Sequence, residues 1–180
     1  DQAVLARYEE NKKVESEKLR MYSKNNQNSD AINLSAVPQF ENGRKLRDYQ
    51  VESLKWMSKN WYTGRNCILG DEMGLGKTAQ SIATLEFQRQ FGHVNGPFLV
   101  IAPLTTLGHW KREIETWTKM NCVLYCGTAE DKKVIHKWEI WCNNDRKTNV
   151  VKPDVILSSY EHIMRDGTFF QNIEWETMII

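Results

Sequence analysis

Gly70-Asp71-Glu72-Met73-Gly74-Leu75-Gly76-Lys77-Thr78 packs three glycines, a lysine and a hydroxyl into nine residues. It follows the apolar stretch Cys67-Ile68-Leu69 and leads into Ala79-Gln80-Ser81-Ile82-Ala83-Thr84-Leu85-Glu86-Phe87, whose apolar residues recur at helical spacing. A strand, a glycine-rich turn and a helix start together make a phosphate cradle. Glycines let the backbone curl so that successive N–H groups face one anion. The helix start adds the positive end of its dipole. In such a cradle Lys77 reaches the β- and γ-phosphates of a nucleoside triphosphate, and the Thr78 hydroxyl ligates Mg²⁺. Asp71, Glu72, Met73, Gly74, Leu75, Gly76 and Ala79 complete the candidate ATP-binding set.

The strict triphosphate-loop pattern begins with glycine, and here Asp71 takes that place. The same residues also read Gly74-x-Gly76-x-x-Ala79, a relaxed dinucleotide fingerprint. That alternative needs a carboxylate at the end of the following strand, to bind the ribose. The next apolar run, Phe98-Leu99-Val100-Ile101-Ala102, ends in Pro103-Leu104-Thr105 and carries none. The triphosphate reading is therefore the better one.

The elements that must position this loop follow from periodicity. A helix is predicted over about 47–61, with Leu46, Tyr49, Leu54, Met57 and Trp61 supplying its apolar face. Thereafter strand and helix patterns alternate. Strands are expected near 67–70, 97–102, 122–126, 154–158 and 177–180, and helices near 76–91, 106–118, 129–142 and 160–165. The strands are almost wholly apolar, as strands covered on both faces must be. The expected fold is α/β, a mostly parallel doubly wound sheet. Thr105 or Thr106 is placed to cap one helix and Thr128 another. Trp110 and Trp117 on one helix, and Val134, Ile135, Trp138 and Trp141 on the next, are expected to pack in the core rather than serve as base-stacking platforms.

Upstream, 3–22 reads as a charged helix with a thin apolar stripe, and 23–30 as a polar, asparagine-rich linker. The chain has 180 residues, enough for one sizeable core with a short appendage. With 24 basic and 23 acidic side chains it has no global field, so any nucleic-acid contact must rest on local groups. No apolar run is long enough for a membrane span. Cys67, Cys122, Cys126 and Cys142 form no C-x-x-C pair; Cys122, Cys126 and His136 match no standard zinc spacing. Buried, reduced thiols in a cytosolic or nuclear compartment are expected. Both ends lack start or stop features, which suggests a piece of a longer protein.

A wider string of segments carries a family resemblance. Leu46-Arg47-Asp48-Tyr49-Gln50 precedes the Asp71–Thr78 loop, Leu99–Leu107 with His109-Trp110 and Glu113 follows it, and Val155-Ile156-Leu157-Ser158-Ser159-Tyr160-Glu161 comes later. Over about 46–180 the chain resembles the first, RecA-like ATPase lobe of chromatin remodellers in helicase superfamily two, above all the chromodomain-helicase-DNA-binding (CHD) class. The resemblance also accounts for Asp71. It implies a P-loop NTPase lobe that uses ATP and Mg²⁺, and a nuclear parent that moves nucleosomes along double-stranded DNA with a second ATPase lobe of the same chain.

By the same resemblance Gln50 reads the adenine edge, for which an amide offers both a donor and an acceptor. Pro103, Leu104, Thr105 and Thr106, and Ser158, Ser159 and Tyr160, form two loops that touch the DNA backbone. Residues 1–22 resemble the closing helix of a chromodomain, with 23–45 as a linker. The family's Asp-Glu-Ala-His motif is not among the 180 residues. Neither are the arginine fingers of a second lobe, each worth about 10³–10⁵ in rate. These 180 residues alone are thus expected to hydrolyse ATP negligibly, and a steady-state ATPase assay showing family-like turnover would contradict this. The rival readings are another superfamily-two DNA translocase or helicase, and a non-hydrolysing nucleosome-binding scaffold.

Overall fold

The computed structural model describes residues 32–94, 96–141 and 150–180, together with Gln2, Ala6 and Glu9, which are helical. The rest of the predicted 3–22 helix, the 23–30 linker and Cys142 lie outside the described residues. A 3₁₀ turn at Glu41–Gly43 leads into α1 (Asp48–Tyr62). Then come α2 (Lys77–Phe91), β1 (Phe98–Ile101), α3 (Leu107–Trp117) and β2 (Cys122–Tyr125). Next are α4 (Ala129–Ile135), a π-helical turn (His136–Ile140), β3 (Val155–Ser158), α5 (Tyr160–Arg165), α6 (Gly167–Gln171) and β4 (Thr177–Ile179).

The four strands form one sheet in the order β2-β3-β1-β4, with every strand pair parallel. Because side chains alternate across a strand, each strand feeds two cores. Phe98, Val100, Ala102, Cys122, Val155 and Leu157 face one side, with Ile82 and Leu85 of α2 and Leu107, Ile114 and Trp117 of α3. Leu99, Ile101, Val123, Tyr125 and Ile156 face the other, with Ile140, Trp141, Phe170 and Ile173. Leu54, Ala83 and Phe87 join α1 to α2 in a third cluster, roofed by Ile32, Leu34 and Phe40. Burying each large apolar side chain contributes about 1.5–3 kcal/mol, so α2 is fixed from two directions and the loop before it inherits that rigidity. The α4 start is capped as predicted. Thr128 accepts from the Asp131 amide, and the Asp131 carboxylate accepts from the Thr128 amide and hydroxyl, which holds that carboxyl below its usual range.

Three expectations are corrected. Residues 65–72 form no strand, and Ile68 is 89% exposed: a strand needs a hydrogen-bonded neighbour, and no described residue supplies one here. Trp138 and Val134 lie at the surface, Trp138 60% exposed, while Trp141 is buried. Val134 and Trp138, four residues apart, share one helix face, and that face is the exposed one, while Lys132 and Ile140 turn inward. Cys67 is exposed rather than buried, whereas Cys122 is buried, and desolvation pushes its thiol up to about 12.

Candidate phosphate-binding site

Gly76 sets the geometry of the loop. It stands just before α2 with φ of 77°, a left-handed conformation that glycine adopts without steric cost. Gly74, with φ of 86°, makes the other left-handed step. No side chain caps α2. The amides of Lys77, Thr78 and Ala79, in the first turn, have no carbonyl one turn earlier to bond; the Gln80 amide is the first to close, onto the Gly76 carbonyl at 3.1 Å. Three convergent N–H groups at a dipole's positive end are what an anion site requires.

The Lys77 ammonium lies across this turn. It donates to the Asp71 carbonyl at 2.6 Å and to the Glu72 carbonyl at 2.9 Å. An ammonium bonds more strongly to a phosphate oxygen, which carries the opposite charge, than to a neutral carbonyl. The ammonium is thus held inside the loop by partners that a phosphate outcompetes. The residues present fit a bound triphosphate: an uncapped helix start, a cation on a flexible stem, and two glycines with left-handed φ. Thr78 follows Lys77 on the first helical turn, half-buried, where the predicted Mg²⁺ ligand belongs.

A second layer holds the loop from behind. Three side-chain donors converge on one carbonyl, that of Leu75: Tyr49 Oη at 3.2 Å, Gln50 Nε2 at 3.1 Å and Gln80 Nε2 at 3.2 Å. Gln80 Nε2 also donates to the Asp71 carboxylate at 3.1 Å. Gln50 Oε1 accepts from the Arg47 amide at 3.0 Å, fastening the start of α1 to the same point. The amide of Gln50, predicted to read adenine, is therefore buried and engaged at both ends with protein groups. It can reach a base only by releasing one of them. From sequence, Tyr49 reads as an apolar-face residue within the Leu46–Gln50 string, and Gln80 carries no role. The sequence signal for Gln80 is slight: it is one of several polar residues on the buried side of its helix, with Thr84 and Gln88.

The second predicted loop set divides. β1 and β3 are neighbours, with Ile101 opposite Ser158, so the turns that follow them lie side by side at one edge of the sheet. Pro103, Leu104 and Thr105 are exposed there, and Thr106 closes the turn by donating its hydroxyl to the Pro103 carbonyl at 2.8 Å. Tyr160 is 65% exposed beside them. Ser158 and Ser159, the other candidates for this contact, are both fully buried. The Ser158 hydroxyl donates to the Tyr125 carbonyl, and Ser159 caps α5 and bonds Glu161 and His162. No group of His, Cys, Asp and Glu able to hold a metal ion occurs among the described residues.

The family model described as "SNF2-related domain" matches residues 49–180, from the second residue of α1 to one residue past β4. The chain belongs to the SNF2-related domain family. This SNF2-related domain is 43% identical over 145 residues to chromodomain-helicase-DNA-binding protein 8 of Homo sapiens, an alignment covering 79% of the chain and 6% of that protein. It is 42% identical over 146 residues to human chromodomain-helicase-DNA-binding protein 7, covering 79% of the chain and 5% of the relative. The chain thus spans a small fraction of the length of these relatives. The fold matches the Sulfolobus solfataricus SWI2/SNF2 ATPase core in complex with dsDNA with a TM-score of 0.64 and 27% identity, over 81% of this chain and 27% of that one. The same core solved as "ATPase core domain" gives 0.61 at 24% identity, over 86% and 28% of the two chains. The four-stranded parallel sheet between helices is that of the SWI2/SNF2 ATPase core.

Proposed function

We propose that this SNF2-related domain is the first ATP-binding lobe of a nuclear, DNA-dependent ATPase that remodels nucleosomes by translocating along double-stranded DNA. Residues 46–180 make the lobe, 23–45 a linker, and 1–22 the end of a preceding chromodomain. The observation that carries the reading is the Lys77 ammonium lodged within a glycine turn at an uncapped helix start. Likeness to remodellers of the chromodomain-helicase class supports the choice of substrate and partner.

Mg·ATP supplies the phosphoryl group to be transferred. Lys77 leaves the Asp71 and Glu72 carbonyls and holds phosphate oxygens. The amides of Gly76 to Ala79 take the remaining phosphate charge, and the Thr78 hydroxyl is the Mg²⁺ ligand. Tyr160 and the exposed turn Pro103–Thr105 meet the DNA backbone, without reading sequence. A second lobe of the same protein closes on the nucleotide from the other side.

The DNA face is tested by fluorescence anisotropy on a 20-base-pair duplex. Replacing Thr105 and Tyr160 together by alanine is expected to weaken binding by about three- to tenfold, equally for unrelated sequences. Unchanged affinity places the DNA elsewhere on the chain.

A further inference from the structure

The Leu75 carbonyl is the acceptor for three side chains from two helices. In a trans peptide the C=O and the next N–H lie in one plane and point in opposite directions. Donors that hold the Leu75 carbonyl toward α1 and α2 therefore turn the Gly76 N–H the other way, out of the protein and into the glycine turn. Of the three, Gln80 does more than the others. It is fully buried, it stands at the fourth residue of α2, and its second amide hydrogen reaches the Asp71 carboxylate. One side chain thus grips both ends of the turn, at Asp71 and at Leu75.

The orientation of that amide is fixed by its surroundings. Flipping it would press its oxygen against two acceptors, the Asp71 carboxylate and the Leu75 carbonyl. As placed, Oε1 is buried with no hydrogen-bond partner among the described residues. A buried acceptor left without a donor is unfavourable and asks for an explanation. Holding the two N–H groups on the loop supplies it.

From this geometry we infer that Gln80 is a positioning residue for phosphate binding. It keeps the Gly76 amide aimed at the anion and holds the turn in shape when Lys77 leaves the Asp71 and Glu72 carbonyls. The carboxylate contact on Asp71 does not depend on Lys77, so it survives that departure. The role rests on the phosphate-loop reading proposed above, and it concerns a residue that does not itself touch the nucleotide.

A donor–acceptor swap on the intact chain tests it. Gln80→Glu sets a second carboxylate against Asp71 and removes both donors; adding Asp71→Asn returns an N–H across the same contact, while Tyr49 and Gln50 still hold Leu75. Hydrogen exchange of the amides of residues 72–79, measured without nucleotide, is expected to speed up in Gln80→Glu and to slow again in the double variant. Exchange in the rest of α2 should change little, while the melting temperature should fall in Gln80→Glu, which buries a carboxylate beside Asp71, and recover in part in the double variant. Binding of a fluorescent ATP analogue with Mg²⁺ is expected to weaken about tenfold in Gln80→Glu and to recover to within about threefold in the double variant.

Loop exchange unchanged by Gln80→Glu, or a double variant no better than Gln80→Glu in either readout, overturns the inference. So does faster exchange spread evenly over α2, because that marks a residue needed only for stability. If Lys77→Ala binds the analogue as tightly as the unaltered chain, the phosphate-loop reading itself fails; the exchange arm still judges Gln80 separately.

Discussion

Gly76→Ala is expected to cripple the loop, while Gly74→Ala, with the same kind of backbone strain, does much less. Both glycines have left-handed φ, of 77° and 86°, and a non-glycine residue held there costs on the order of 1–3 kcal/mol. They differ in what a Cβ meets. At Gly74 nothing lies within 4 Å, but at Gly76 the new carbon would sit 2.6 Å from Gln50 Nε2. Gln50 is flexible enough to move, but moving it breaks its bond to the Leu75 carbonyl and loosens its hold on the Arg47 amide. Each such bond contributes about 0.5–1.5 kcal/mol. The expected sum for Gly76→Ala is about 2–5 kcal/mol at the loop, enough to weaken Mg·ATP binding by at least about thirtyfold. Isothermal titration of both variants is the check, and equal losses at the two positions would remove the steric argument.

Lys77→Ala should have the larger effect on nucleotide and a smaller one on the fold. The ammonium makes two bonds to loop carbonyls. It anchors no core residue, and its neighbours Glu72, Met73 and Gly74 are exposed, Met73 at 95%. Melting temperature should therefore fall by only about 1–3 °C. Against phosphate the same ammonium makes charge-assisted bonds, each worth about 1.5–3 kcal/mol. Losing two of them is expected to weaken Mg·ATP binding by about a hundredfold or more. Lys77→Arg should recover only part of this, since a planar guanidinium is wider than the point charge a glycine turn admits. In a full-length remodeller the alanine variant should be unable to move nucleosomes.

Local signals were enough for much of this architecture. The boundaries of α1, α2 and α3 fall within a residue or two of the periodic pattern, because the apolar stripe that packs on the core and the turn residues that bound it lie within one segment. The strands over 98–101, 122–125 and 155–158 were equally legible as unbroken apolar runs. Cys67-Ile68-Leu69 has that same composition and is not a strand. Pairing is a property of two segments, and apolar content in one of them does not supply the other. Trp138 misled for a related reason: it shares one helix face with Val134, and whether that face is covered depends on a second segment.

The site shows the same division. Asp71 to Thr78 was legible because its chemistry lies in consecutive residues. Ser158 and Ser159 look like available hydroxyls in a string, yet alternation and capping turn both inward. Gln80 and Tyr49 become part of the loop only through side-chain geometry, as three donors meet one carbonyl 5 to 26 residues away in sequence.

A crystal structure of the chain with Mg²⁺ and a non-hydrolysable ATP analogue tests the central claim most directly. Lys77 Nζ should have left the Asp71 and Glu72 carbonyls for a phosphate oxygen at about 2.7–2.9 Å, with the amides of Gly76 to Ala79 turned to the same phosphates. An analogue bound elsewhere, or one that leaves that ammonium on its two carbonyls at saturating concentration, would contradict it.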